Sequence, residues 1–387
     1  MTALRLFPIA LLCCMCAGRP AWSAEVRIGF VTTLSGPAGA IGRHMKDGAE
    51  LAADQLGHKM GGLDLKIVYG DDQLKPDVGR QLAEEMLDRD HVDFLSGVIF
   101  SNVMLAMYQP IVKSGRIFVS ASAGPHEIAG RMCAPNFFST AWQNDQSPEA
   151  MGQYLTDLKT DNAYLIAPNY AAGKDMLAGF KRYYKGRIAA EVYTKLDQAD
   201  YQAEITQIRA ANPAAVFVFL PGGMGIQFVK QYAQSGVKIP LYSSFTVNEV
   251  ILPALGDAAA GTFDSGFWSP DLDNPVNKAF VAKFREKYGY MPSEYAASAF
   301  DAIQLIDSAV RSSGGKLSDA AVLERAMEKA DFPSVRGSFR YNINHFPIQN
   351  YYVFDVVKGS DGKYVRKVDK LVLPEHKDAY YTECKMK

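Results

Sequence analysis

Glu25-Val-Arg-Ile-Gly-Phe-Val-Thr-Thr-Leu-Ser-Gly-Pro-Ala-Gly-Ala-Ile-Gly42 decides the fold class of this 387-residue chain. A short apolar run breaks into a Gly/Ser/Pro turn, and beyond it Met45, Ala49, Ala52, Ala53 and Leu56 recur at helical spacing. A strand that gives way to a small-residue turn and then a helix is how an α/β domain opens a ligand cleft at the C-terminal end of its sheet.

Working outward, Arg5 supplies a positive start, Leu6 to Ala17 an apolar centre and Ala21-Trp22-Ser23-Ala24 a small-residue exit. Residues 1–24 therefore read as a cleaved signal peptide, with a mature chain starting at Ala24 or Glu25. Cys13, Cys14 and Cys16 sit inside the apolar centre without the small residues that precede a lipid-modified cysteine, which disfavours a lipid anchor. No later run reaches the ~18 continuous apolar residues of a membrane span, so a soluble mature protein is expected.

The length suggests about two domains, and 48% hydrophobic with 21% charged residues is an ordinary globular balance. Forty-one basic against forty-two acidic residues leave a net charge of -1, which provides no footprint for nucleic acid. Beyond the leader only Cys133 and Cys384 remain. In an oxidising compartment an even pair reads first as one disulfide, with two free thiols as the alternative.

The alternation continues past the opening. Leu63 to Tyr69, Val92 to Gly97 and Arg116 to Ser120 read as strands, with helices at Pro76 to Arg89 and Asn102 to Lys113. The rhythm restarts near Ser147, with strands Ala163 to Ala167, Ile188 to Tyr193 and Ala215 to Leu220 between helical patterns. Two doubly wound, parallel α/β lobes follow. Asn136 to Asp145 and Thr262 to Pro270 read as pieces passing between lobes, and the latter precedes helices Val276 to Tyr288, Ser293 to Arg311 and Ser318 to Lys329. The end turns β: Ser338 to Asn342, Asn350 to Val357 and Tyr364 to Leu373.

Catalytic patterns are absent. His126-Glu127 begins like a zinc-protease helix, but residue 130 is Gly where the second His belongs, and the six histidines are scattered. No Gly-x-Ser-x-Gly elbow or phosphate loop occurs. Gly222-Gly-Met-Gly225 lacks the third glycine and acidic partner of a dinucleotide site. What remains are small, hydroxyl-bearing strand ends: Ser96-Gly-Val-Ile-Phe100-Ser101-Asn102 and Ser120-Ala-Ser122-Ala123-Gly124-Pro125. In the first, Ser101 can cap the following helix, whose free N–H groups and dipole can hold an anion such as carboxylate. The second stands beside it, and together they form a carboxylate cradle. An exported α/β protein so equipped reads as a binder rather than a metabolic enzyme.

Leu34-Ser-Gly-Pro37, Gly97 to Ser101, Ser120 to Gly124, Phe138 to Asp145, Asn169-Tyr170-Ala-Ala-Gly173-Lys174, Pro292-Ser-Glu-Tyr295 and Phe300-Asp-Ala302 occur in an order and spacing that resembles the type I periplasmic solute-binding proteins of ABC importers. The likeness is to the branch related to leucine/isoleucine/valine-binding proteins. It implies two α/β lobes joined by three crossing strands: lobe 1 from 25–139 plus 271–335, lobe 2 from 144–265 plus 345–374. The crossings fall at 140–143, 266–270 and 336–344, with a tail at 375–387. It further implies a periplasmic, monomeric receptor without cofactor or metal, which closes on a small-molecule ligand and delivers it to an ABC permease and its ATPase, touching the membrane only through them. A ligand sensor for a signalling receptor is the alternative partner, and an exported hydrolase a remote third.

Carried over, the ligand's carboxylate falls to Ser101, Ser122, Ala123 and Gly124, with Tyr170 facing it from lobe 2. Asn102, Phe100, Ile41, Phe245 and Trp142 complete the expected ligand set, although Trp142 and Trp268 could equally be hinge core. Amino-acid binders of this branch place an acidic residue against the ligand's ammonium, where this chain has Phe245. A buried ammonium without a counter-charge costs several kcal/mol. An aromatic acid between Phe100, Tyr170 and Phe245 is therefore expected, each ring pair adding about 0.5–1.5 kcal/mol beyond area burial. The rival, a branched-chain or other amino acid, requires Glu249 or another acid in the pocket.

Overall fold

The computed structural model describes residues 25–386, so the signal-peptide reading of 1–24 lies outside the described residues. From Glu25 the chain forms β1 (Glu25–Thr32), α1 (Gly39–Gln55), β2 (Lys59–Met60), β3 (Leu63–Asp71), α2 (Pro76–Asp88), β4 (Phe94–Gly97), α3 (Ser101–Lys113), β5 (Ile117–Ser120), a single turn α4 (His126–Ala129) and β6 (Phe137–Ser139). These strands make one sheet in the order β2-β3-β1-β4-β5-β6. β1 is almost wholly buried because it lies between β3 and β4 with helices above and below, which is why it reads as a continuous apolar run.

The second series is α5 (Gln146–Asp157), β7 (Asn162–Pro168), α6 (Ala171–Tyr183), β8 (Arg187–Thr194), α7 (Gln202–Ala211), β9 (Ala215–Val218), α8 (Gly223–Gln234), β10 (Leu241–Ser244), α9 (Leu252–Leu255) and β11 (Phe263–Gly266). Helices α10 (Pro275–Tyr288), α11 (Glu294–Ser312) and α12 (Ala320–Lys329) follow, with α11 packed along α1 beside the first sheet. The chain then returns to the second sheet as β12 (Gln349–Lys358) and β13 (Tyr364–His376), giving the order β13-β12-β11-β10-β9-β7-β8. The backbone thus passes between the sheets three times.

Two features differ from the sequence expectation. Each sheet is antiparallel at one margin: β2 pairs β3, β11 pairs β12, and β12 pairs β13 antiparallel, while the opposite edges, β6 and β8, pair parallel. The β2–β3 and β12–β13 connections are too short for a crossover, and only antiparallel neighbours can be joined that way. Residues 338–342 form no strand beyond the Tyr341–Pro347 bridge. Their alternating aromatics serve packing instead, Phe339 against Phe332 and Tyr341 against Phe138, with ring centroids 5.1 and 5.6 Å apart.

Cys133 and Cys384 form a disulfide across 251 residues of sequence. The bridge holds the tail over the crossings, where the Tyr380 hydroxyl donates to Asp145 at 2.8 Å and Asn344 donates to Asp378 at 3.0 Å. Closing so long a loop restricts the unfolded chain, so Cys384→Ser is expected to cost about 2–4 kcal/mol. Urea unfolding with and without reductant checks this: the wild type should lose that much on reduction and the variant should not respond.

Candidate ligand-binding site

The site is assembled where β4, β5, β7, β9 and β10 end. Gly97 closes β4 at φ +107°, and a Cβ there would lie 2.2 Å from the Val31 carbonyl oxygen, so only glycine lets the turn fold over β1. Val98 follows at φ +64°, a region that β-branched residues avoid. Its N–H is fixed on the Val31 carbonyl at 2.7 Å, and its own carbonyl accepts the Ala123 N–H at 3.0 Å. A strained turn held from both sides brings Phe100 and the start of α3 next to the loop after β5. From the other sheet, Phe245 closes β10 at φ +51°, also left-handed.

Between these loops lies a narrow cavity. Ile99, Phe100, Ser101, Ser122 and Ala123 line it from the first sheet's side, with Tyr295 of α11. Tyr170, Ala172, Met176, Phe219, Pro221 and Phe245 line it from the second, and Trp142 and Asn144 from the first crossing. Trp142 and Phe245 stack on each other, centroids 4.3 Å apart and 21° between planes. Phe100 and Tyr170 meet at 6.0 Å across the two sides.

No Asp, Glu, Lys, Arg or His lines this cavity. Its polar groups are hydroxyls and amides. Ser101 Oγ accepts from Asn144 Nδ2 at 3.0 Å. Burial pushes the phenols of Tyr170 and Tyr295 well above their ordinary range, so both stay protonated and available as donors. The indole Nε1–H of Trp142 is buried without a hydrogen-bond partner among the described residues.

Seven of the ten ligand residues read from the sequence therefore converge here: Phe100, Ser101, Ser122, Ala123, Trp142, Tyr170 and Phe245. Three do not. Gly124 lies behind the lining with its N–H on Asn144 Oδ1 at 3.1 Å. Asn102 sits in the first turn of α3, its Oδ1 buried and without a partner among the described residues. Ile41 instead meets the opposite half, its Cδ1 3.2 Å from where a Gly222 Cβ would stand, and a Gly223 Cβ would lie 2.7 Å from Pro37. The glycines that superficially suggest a nucleotide loop thus permit close approach of α8 to the start of α1.

Two roles also change. Ser101 does not cap α3, because Phe100 occupies the cap position and no side-chain bond is made there. Ala123 lines the cavity but its N–H is taken by Val98, so it is no donor to a ligand. Glu249 is outside the lining: Arg366, itself fully buried, donates to it at 3.0 and 2.5 Å, to Asp264 at 2.8 Å and to Glu294 at 2.7 Å. Trp268 is core, its Nε1 donating to Asn277 at 2.8 Å. Asn144 and Tyr295 were not singled out as site residues from sequence, although both lie in motifs that pointed to the fold; a polar Gln-Asn-Asp run in a buried crossing was the available signal.

A family model described as periplasmic binding protein matches residues 25–363. The chain belongs to that family. It is a solute-binding protein of the ABC-transporter class and not an enzyme, with the two-sheet fold of that class. Among solved structures it is similar to an ABC transporter solute-binding protein from R. palustris in complex with benzoate, at 31% identity and TM-score 0.89, covering 94% of this chain and 100% of that one. A second, from Rhodopseudomonas palustris BisB5 in complex with 3,4-dihydroxybenzoic acid, is 25% identical with TM-score 0.85, covering 91% of this chain and 99% of that one. A Leu/Ile/Val-binding protein homolog from Brucella melitensis is 26% identical over 381 residues, 95% of each chain. Among the described residues, no helix of this periplasmic binding protein is long and apolar enough to cross a membrane.

Proposed function

We propose that this protein captures a small aromatic carboxylate of the benzoate type by closing its two lobes, and delivers it in the periplasm to an ABC permease and its ATPase. The observation that carries the reading is the cavity lining: aromatic walls and hydroxyl donors, with no acidic side chain to balance an ammonium group. A zwitterionic amino acid would bury an unpaired cation there, at a cost of several kcal/mol. A benzoate-type ligand has no such group. Its carboxylate meets the hydroxyls of Ser101 and Ser122 and the positive end of the α3 dipole, and its ring lies among Phe100, Tyr170, Phe219 and Phe245. The benzoate and dihydroxybenzoate complexes of the similar proteins support the same class.

In this reading lobe 1 is 25–139 plus 271–335 and lobe 2 is 144–265 plus 345–374, hinged on the three crossings. Residues 1–24 direct export and are removed, and the mature protein works as a monomer. The ligand shifts the hinge equilibrium by its differential affinity for the closed form.

Thermal unfolding against benzoate, 3,4-dihydroxybenzoate, leucine and isoleucine tests the proposal. At one hundred times its dissociation constant, a true ligand stabilises by about 2.7 kcal/mol. Stabilisation by benzoate or its hydroxylated relative is expected; stabilisation by leucine or isoleucine alone would overturn the ligand class.

A further inference from the structure

We propose that Asn144 is the positioning residue of this binding site: it fixes the direction of the Ser101 hydroxyl proton and ties that direction to contact between the two lobes. The inference rests on the carboxylate reading above. The orientation of the Asn144 amide follows from its partners. The Gly124 N–H can only donate, so the atom 3.1 Å from it is Oδ1, and the Asp175 carboxylate can only accept, so the atom 2.9 Å from Oδ2 is Nδ2. Nδ2 has two protons. One goes to Asp175 and the other to Ser101 Oγ at 3.0 Å.

Ser101 Oγ consequently accepts on the side of Asn144, and its own proton is directed elsewhere, into the cavity that both residues line. That is the geometry a ligand carboxylate requires, since an ionised carboxylate accepts and never donates. All of these atoms are buried: Ser101 and Asn144 are 1% exposed and Asp175 is 3% exposed. A buried amide with every donor and acceptor used has one orientation, and flipping it would face Oδ1 to a carboxylate and Nδ2 to an N–H.

Asp175 stands on α6, beside the second sheet. Its Oδ1 accepts from His126 Nδ1 at 2.7 Å and its Oδ2 from the His126 N–H at 3.2 Å, both groups belonging to α4 beside the first sheet. Ser101 and Gly124 belong to lobe 1 and Asp175 to lobe 2, so Asn144, at the lobe-2 end of the first crossing, is completed by partners from both lobes. When the lobes part, Asn144 stays with Asp175 on lobe 2 and leaves Ser101 and Gly124, so Ser101 Oγ loses the donor that directs its proton. Ser101 is set as a donor only in the closed form, so closure and carboxylate capture reinforce each other.

Calorimetric titration of the full chain with benzoate, and with benzamide as a neutral isostere, tests this with Ser101→Ala, Asn144→Asp and the double variant. Asn144→Asp replaces the two donors with an acceptor, so the Ser101 proton turns to residue 144. Benzoate affinity is expected to fall at least about tenfold, and the preference for benzoate over benzamide to fall with it. The double variant should bind benzoate no more than about twofold worse than the weaker single variant, because the two side chains act as one unit.

Additive losses, or equal losses for benzoate and benzamide, would mean that Asn144 merely supports the fold and would overturn the proposal. Should Asn144→Asp fail to fold by its melting profile, Asp175→Ala replaces it in the same cycle, with about tenfold weaker benzoate binding expected and unchanged binding overturning the proposal. A wild type that binds neither benzoate nor 3,4-dihydroxybenzoate would overturn the ligand class itself, an outcome separate from a wild type that binds and an Asn144→Asp variant that binds equally well.

Discussion

Arg366→Met is expected to lower the unfolding free energy by about 3–5 kcal/mol at pH 8. Arg366 is the sole cation among three buried carboxylates, Glu249, Asp264 and Glu294, and its guanidinium also lies over the Phe354 ring at 4.8 Å. Methionine preserves volume and the apolar contact but leaves three anionic groups in a dry site. The cost is that of uncompensated burial rather than the worth of the ion pairs.

The same cluster fixes the sign of the pH dependence. Burial pushes Glu249 up from 4.5 to about 7 and Asp264 up from 3.8 to about 6, Arg366 opposing both. A raised carboxylate means that the folded state holds protons which the unfolded chain has released. Its stabilising contribution is therefore complete below about pH 4 and declines as pH rises through 6 to 7. Removing Arg366 removes the opposing charge, so the variant should recover part of its deficit at pH 5 and show its full loss at pH 8. Urea unfolding at the two pH values reads both effects. A loss under about 1 kcal/mol, or one that does not change with pH, would contradict this account of the cluster. Because Glu294 belongs to α11 and also accepts from Asn248 at 2.8 Å, the cluster joins the lobes as well as stabilising them.

How much of this was legible in the sequence depends on the range over which each feature is determined. β1 and its turn are local: a buried apolar run, Gly36-Pro37 and a helical repeat admit few other readings. The cradle loops were legible for the same reason, since small and hydroxyl residues mark the ends of β4 and β5, and their adjacency follows from sheet order. Phe245, expected from the sequence as a pocket wall, lines the cavity. Hydrogen-bond allocation was not legible. Gly124 and Ala123 look like free backbone donors until Asn144 and Val98 are seen to occupy them. Glu249 could not be excluded from the pocket by sequence because its partner lies 117 residues away on β13. The Ser338 to Asn342 alternation is real, but its period records aromatic packing on Phe332 and Phe138 instead of a strand's two faces.

Trp142→Ala is expected to cost about 3–5 kcal/mol in stability and to abolish measurable benzoate binding. Trp142 is 3% exposed and stands on the first crossing between elements of both halves. It stacks on Phe245 from the second sheet's side, meets Tyr295 of α11 edge-on at 5.8 Å, and touches Phe267 of the second crossing at 5.3 Å. Phe267 in turn lies under the Arg336 guanidinium of the third crossing at 4.8 Å. Trp142 and Phe267 therefore link all three crossings, and removal of Trp142 opens a void in a close-packed interior. Trp142→Phe retains a ring for the Phe245 stack and should lose less than half as much. The unpartnered Nε1–H makes that substitution milder still, since no hydrogen bond is broken. The ring is also the site's reporter: only three tryptophans occur in the chain, Trp22 in the leader segment and Trp268 in the core. Benzoate should change the tryptophan emission of the wild type, and most of that change should vanish in Trp142→Phe while benzoate binding, measured by calorimetry, persists. An undiminished emission change in Trp142→Phe would place the ligand away from this ring and the cavity it helps to form.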